Sequence, residues 1–150
     1  PGKKLYNDVD QTEWSYKYVQ AISRTGIFSG YPDGSFKPDK PVSRGEMASV
    51  ILKLMVYINK DTNIQENDKV TTNHWAKDAI NNMYNLELDQ VYEGDNFSPE
   101  ENVLREEIVY LINRSFDFKE LLSKKPTFSD VDKTNRFYGD IEAASNLYAE

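Results

Sequence analysis

The chain has 150 residues, a net charge of −7, no cysteine and an aromatic share of 13%. That length suits one domain able to bury a core of its own. The acidity excludes non-specific nucleic-acid binding, which needs clustered Lys and Arg, the lack of cysteine excludes disulfides and thiolate metal sites, and no apolar run approaches bilayer-spanning length.

Pro1-Gly2-Lys3-Lys4 lacks a signal-peptide pattern and reads as the start of a mature or trimmed fragment. Next, Trp14, Tyr18, Ala21, Ile22 and Thr25 recur at helical spacing and mark one face of a first helix, with Thr12 as its N-cap and Gly26 as its stop. Gly30 to Pro41 is dense in turn residues. Within it, Pro32-Asp33-Gly34 is a turn with a mechanism, since Pro fixes φ and Gly tolerates φ > 0. Ser43-x-x-Glu46 then reads as a capping box that starts a second helix bearing Met47, Val50, Ile51, Leu54, Met55 and Ile58 on one face. Arg44 falls in its first turn, where free N–H groups and the helix dipole already favour an anion. An arginine there is unfavourable by itself, so its presence points to an anion nearby, supplied by a ligand or by one of the chain's own carboxylates. Residues 59–68 are polar and aperiodic and read as a linker.

A shift of 61 positions lays the chain on itself without a gap: Trp14 on Trp75, Tyr31 on Tyr92, Phe36 on Phe97, Arg44 on Arg105 and Glu46 on Glu107. A second such shift puts Asp8-Val9-Asp10 on Asp130-Val131-Asp132. The chain is thus a single domain, 1–150, built of units at 5–65 and 66–126 and the opening of a third at 127–150. Trp75, Ala79, Met83 and Leu86 repeat the first-helix stripe, with Asn73 at the cap; Phe137, Ile141, Ala144 and Tyr148 repeat it again, although Arg136 takes the tryptophan's place. Ile108, Leu111, Ile112 and Ser115 repeat the second-helix stripe, and 119–126 repeats the linker. All these stripes read as core. A helix–loop–helix unit cannot bury its own face, so the units must pack on each other, in an all-α fold.

The motif set resembles the S-layer homology (SLH) family. Asp8-Val9 with Trp14 matches its aspartate-valine…tryptophan opening, Gly30-Tyr31-Pro32-Asp33-Gly34-Ser35-Phe36-Lys37-Pro38 its glycine–aspartate–glycine–phenylalanine–proline loop, and Ser43-Arg44-Gly45-Glu46 its Thr-Arg-Ala-Glu motif. The resemblance implies a pseudo-threefold spindle whose first helices form a central three-helix bundle. It also implies a non-catalytic, extracellular module that anchors surface-layer proteins, or enzymes fused to it, on the bacterial cell wall. The ligand would be secondary cell-wall polysaccharide or a peptidoglycan-linked glycan, often carrying a pyruvate ketal, and other S-layer subunits are further partners. No cofactor or metal is implied. The ligand-binding residues expected on this basis are Arg44, Ser43, Tyr31, Asp33, Gly34, Ser35 and Arg105, with Glu46, Glu107, Trp14 and Trp75 as cap and structural residues. A guanidinium fork suits a planar carboxylate, and Arg44→Ala would then lower wall binding by about 1.5–3 kcal/mol. Asp33-Gly34 is equally readable as a turn only, and the aromatics as core or as sugar-stacking surface.

The second unit departs from this pattern. Val91-Tyr92-Glu93-Gly94-Asp95-Asn96-Phe97 rebuilds the turn, Leu104 lacks the cap hydroxyl, and Glu106 stands ready to neutralise Arg105. The third unit breaks off before its loop, which reads either as a cut from a longer chain or as a second helix supplied from elsewhere. His74, the one histidine, reads as a cap or surface residue with no triad around it. Asp61-x-Asn63 and Asp130-x-Asp132 lack the Gly and Glu of an EF-hand, and no phosphate-cradling glycine loop is present. The alternative function on the same scaffold is an envelope protein–protein interaction or self-assembly module.

Overall fold

The structure, a computed structural model, describes residues 5–94, 96–123 and 125–146. Asp95 and Tyr148 of the expected motifs lie outside the described residues. Five α-helices follow in order: α1 Tyr16–Thr25, α2 Arg44–Tyr57, α3 Lys77–Asn85, α4 Arg105–Ser115 and α5 Tyr138–Ser145, with a 3₁₀ turn at Leu88–Val91. There is no strand among the described residues, so the fold is all-α as expected. The repeat spacing holds in three dimensions, because α3 and α5 begin 61 and 122 positions after α1.

Gly26 ends α1 in the left-handed region, at φ 76. The N-termini differ from the expected caps. Thr12 does not cap α1; its N–H and hydroxyl both turn back to Asp10 Oδ1, at 2.9 and 2.8 Å, and the helix starts four residues later. Thr134 does the same with Asp132. Asn73 is not the cap of α3 either. His74 Nδ1 accepts from the Ala76 amide at 3.1 Å, and its repeat counterpart Asn135 accepts from the Phe137 amide at 2.7 Å. A local side-chain acceptor thus competes with helix extension at each unit's start.

Helices pack in a staggered order. The second helix of one unit lies on the first helix of the next, as α2 on α3 and α4 on α5, and α2 also meets α4. One core cluster draws Met47, Ala48, Ile51 and Met55 from α2, Ala79, Ile80 and Met83 from α3, and Leu111 from α4, with Phe137 ahead of α5. The central bundle of first helices implied by the resemblance does not carry these contacts, and α1 contributes nothing to the cluster. The expectation that the Trp14 stripe is core is corrected here: Trp14 is 83% exposed, and Tyr18 and Ala21 are exposed too, leaving Val19 and Gln20 as the buried residues of α1. The physical reason is that α3 and α5 each have a second helix against them, whereas no described helix takes that place on α1. The linkers are also more ordered than their composition suggests. Buried Asn82 and Asn81 accept from the amides of Asn63 and Asn67, and buried Glu142 accepts from the Thr127 amide and hydroxyl, so each linker is fastened to the following unit's first helix.

Candidate functional site

The first loop is tied down before it can present anything. Asp8 places one carboxylate oxygen on the Phe36 amide at 2.8 Å and the other on the Lys37 amide at 2.7 Å. The Tyr6 hydroxyl donates to Ser23 and accepts from the Gly30 amide, while the Tyr6 ring lies 5.1 Å from that of Phe36. A Cβ at Gly30 would sit 2.2 Å from the Tyr6 ring and 2.5 Å from the Ser35 carbonyl, which accounts for glycine there. Asp33 Oδ1 accepts from the Ser35 amide and hydroxyl, and Gly34 turns at φ 79. Asp33, Gly34 and Ser35 thus build the turn.

The Phe36 amide, opposed by burial and aided by the Lys37 amide, holds the Asp8 carboxyl below its ordinary range. A carboxylate whose pKa is depressed on folding stabilises the fold above its unfolded pKa, and that contribution disappears as pH falls through the folded value. The first loop should therefore be unchanged from pH 7 to 5. Below roughly pH 3.9, the ordinary aspartate value, hydrogen-exchange protection of the Phe36 and Lys37 amides should decline. Protection that stays flat to pH 2 would contradict the role of Asp8.

Beyond this anchored turn, the capping box forms as expected: Ser43 Oγ accepts from the Glu46 amide at 3.2 Å, and Glu46 Oε2 accepts from the Ser43 amide at 2.9 Å. The other oxygen of Glu46 accepts from Tyr31 Oη and Lys40 Nζ, each at 2.9 Å, and Lys40 also donates to Tyr31 Oη at 2.8 Å. Burial alone would raise the Glu46 carboxyl, but the Ser43 amide, Lys40 and Tyr31 outweigh it and hold it low; Tyr31 and Glu46 in turn raise Lys40. Lys37 and Lys40 lie 4.3 and 4.9 Å from the Tyr31 ring centre. This group borders a cleft of ≈ 560 Å³ between the first loop, α2 and the approach to α3, whose wall also includes Phe28, Lys53 and Trp75. Trp75 is 68% exposed. Three lysines line it; Lys37 pairs with Asp33 Oδ2 at 3.5 Å and Lys40 with Glu46, while Lys53 forms no ion pair among the described residues.

Arg44 lies elsewhere. Its side chain is 11% exposed, with Nη1 2.9 Å from Glu101 Oε2 and donating to the Phe97 carbonyl at 3.2 Å, and its guanidinium stacks over Tyr92 at 4.4 Å. The amides of Arg44 and Gly45 donate to the carbonyls of Glu101 and Pro99, at 2.7 and 2.9 Å. The open N–H groups at the start of α2 are therefore taken by the second unit's loop. A Cβ on Gly45 would come 2.7 Å from His74 Cε1, so glycine replaces the motif alanine because the histidine packs there. Since His74 Nδ1 accepts from Ala76, its ring hydrogen is on Nε2, directed at Glu100 Oε1 2.9 Å away.

In the second unit, Glu107 Oε2 accepts from the Leu104 amide, completing the half of the capping box that Leu104 allows. Glu106 is taken up by Asn135 at 2.9 Å rather than by Arg105, which is exposed and forms no ion pair among the described residues. Arg105 borders a groove of ≈ 580 Å³ with Leu104, Glu106, Phe128, Asp130 and Ile141. Tyr31 and Glu46 thus share the first cleft, Arg44 lies in the unit contact and Arg105 in a second groove. Sequence reading passed over Asp8 as an anchor, Lys40 as the partner of Tyr31 and Glu101 as the partner of Arg44. The signal for Glu101 lay in the repeat, since it stands opposite Lys40 and reverses its charge.

The family described as "S-layer homology domain" matches residues 5–48 and 70–109. The chain is 31% identical over 147 residues to "Cell surface glycoprotein 1" of Acetivibrio thermocellus, covering 91% of this chain and 6% of that protein. It is 30% identical over 139 residues to the "Cellulosome-anchoring protein" of the same organism, covering 91% of this chain and 31% of that protein. An "Endoglucanase" of Bacillus sp. is 30% identical over 117 residues, 12% of its length. The chain therefore spans less than a third of each of these relatives.

Proposed function

This chain belongs to the S-layer homology family, and from that membership we propose that it is a non-catalytic, carbohydrate-binding module that holds a surface protein on the bacterial cell wall through secondary cell-wall polysaccharide. The names of two relatives, a cell surface glycoprotein and a cellulosome-anchoring protein, support an extracellular anchoring role. The enzyme relative is matched over 12% of its length, in keeping with a module attached to enzymes rather than a catalyst itself. No helix among the described residues is long and apolar enough to cross a membrane, so the attachment proposed is to wall glycan.

The observation that carries this reading is the first cleft, where exposed Trp75 offers a face to a sugar and Lys37, Lys40 and Lys53, against the two carboxylates Asp33 and Glu46 that pair with the first two, leave a net positive charge for an acidic substituent such as a pyruvate ketal. Long-range repulsion from a chain of net −7 is screened beyond about 8 Å at physiological salt, so local lysines decide the encounter. Tyr31, Lys40 and Trp75 make the contacts in this reading, and Arg44 holds the second loop beside them. Arg105, with Glu106 and Asp130 near it, provides a weaker second contact.

Co-sedimentation with wall sacculi, before and after stripping of the secondary polymer, tests the function. Binding should vanish on stripping, and Lys40→Ala should weaken it about tenfold, the loss of one charge-assisted hydrogen bond. Binding that survives stripping would refute polysaccharide anchoring. A second reading, docking to another envelope protein, rests on the exposed Trp14 and Tyr18 of the α1 region. It would be favoured by saturable wall binding that polysaccharide fragments do not compete.

A further inference from the structure

The two complete units close their loops alike, with one exchange that removes an internal anion. In the first unit, the consecutive amides of Phe36 and Lys37 share the Asp8 carboxylate, with Lys37 in the left-handed region at φ 57. Consecutive main-chain N–H groups that converge in this way form a concave anion site. In the second unit, Phe97 and Ser98 occupy these positions with Ser98 at φ 48. The turn that follows is the same, as Glu101 N donates to Ser98 O at 3.0 Å just as Lys40 N does to Lys37 O. The residue in the place of Asp8, however, is Lys69, whose ammonium accepts no hydrogen bond. Among the described residues, no acceptor is seated on the Phe97 and Ser98 amides. Lys69 and Phe97 border a cavity of ≈ 350 Å³ with Tyr84, Asp89, Tyr92 and Asn96.

We propose that this cavity is a second ligand site, specific for the carboxylate of a small acidic sugar such as a uronic acid. The carboxylate takes the place that the Asp8 side chain has in the first unit, with its oxygens on the Phe97 and Ser98 amides and Lys69 as counter-charge. Asn96 supplies an amide for the sugar hydroxyls. Among the described residues of the lining Asp89 is the one carboxylate and it offsets Lys69, so these residues suit a singly charged anion better than a phosphate dianion. The inference rests on the comparison of the two loops and does not require the wall-anchoring reading.

The test is titration of the ¹⁵N-labelled chain with sodium D-glucuronate, with glucose and inorganic phosphate at matched ionic strength as comparators. Saturable movement of the Phe97 and Ser98 amide signals is expected, with those of Phe36 and Lys37 stationary because Asp8 already occupies them. Lys69→Asp should abolish the response while raising the melting temperature, since it restores the internal carboxylate and fills the site. Asp89→Asn should tighten binding severalfold. Stationary Phe97 and Ser98 signals, an equal response to glucose, a larger response to phosphate, or undiminished binding in folded Lys69→Asp would each overturn the proposal.

Discussion

Ile80→Ala is expected to lower folding stability by about 2–5 kcal/mol, the usual cost of deleting most of a fully buried aliphatic side chain. Ile80 is 0% exposed, and its cluster includes residues of α2 and α4 as well as of its own helix. Cavities at such a point are costly because surrounding helices belonging to different units cannot all collapse toward the gap. Urea unfolding followed by far-UV circular dichroism should show a single transition moved to lower denaturant, since one cluster joins the units. The paired control is Tyr18→Ala on α1. It should shift stability by no more than about 0.5 kcal/mol, as for other exposed positions. A cost below about 1 kcal/mol for Ile80→Ala, well under the range for core aliphatics, would show that α3 is not at the centre of the fold.

Arg44→Ala should cost about 1–3 kcal/mol, through the junction between the units. Its interactions differ in weight. The stacking on buried Tyr92 is worth about 0.5–2 kcal/mol, and the bond to the Phe97 carbonyl is charge-assisted and nearly desolvated. The pair with Glu101 is discounted, because that carboxylate is 61% exposed and water screens it. Glu101→Gln should accordingly stay within about 1 kcal/mol of the parent. Arg44→Lys should recover little, since an ammonium cannot reach the carboxylate and the carbonyl while stacking on the ring. Thermal unfolding of the three variants checks this order. Wall binding measured on the same variants separates the two roles of Arg44: a drop far beyond that of Lys40→Ala, in a variant that remains folded, would place the arginine on the ligand.

Much of this fold was legible in the chain because its causes are local or repeated. Ser43 and Glu46 form their box because the partners are three residues apart. Gly26 stops α1 because it alone enters the left-handed region without a Cβ penalty. The spacing of 61 recurs between helix starts because each unit solves the same packing problem. The stripes misled at Trp14, Tyr18, Trp75 and Ile112, all exposed rather than core, since periodicity identifies a face but not what covers it. Thr12 and Asn73 had the right chemistry for caps, and acceptors at Asp10 and His74 decided where the turns closed.

By itself, the sequence determined the all-α class, the recurrence of helix starts at a spacing of 61, the capped start of α2 and the family. Each depends on residue type at short spacing or on repetition. Only the tertiary structure decided what Arg44 and Lys40 face. Both cations belong to the same stretch of chain, yet Glu101, 57 residues beyond Arg44, draws the arginine into the unit contact, while Glu46 and Tyr31 keep the lysine at the cleft. Such pairings depend on which unit's loop covers which helix end, and that is a property of packing between units rather than of any one segment.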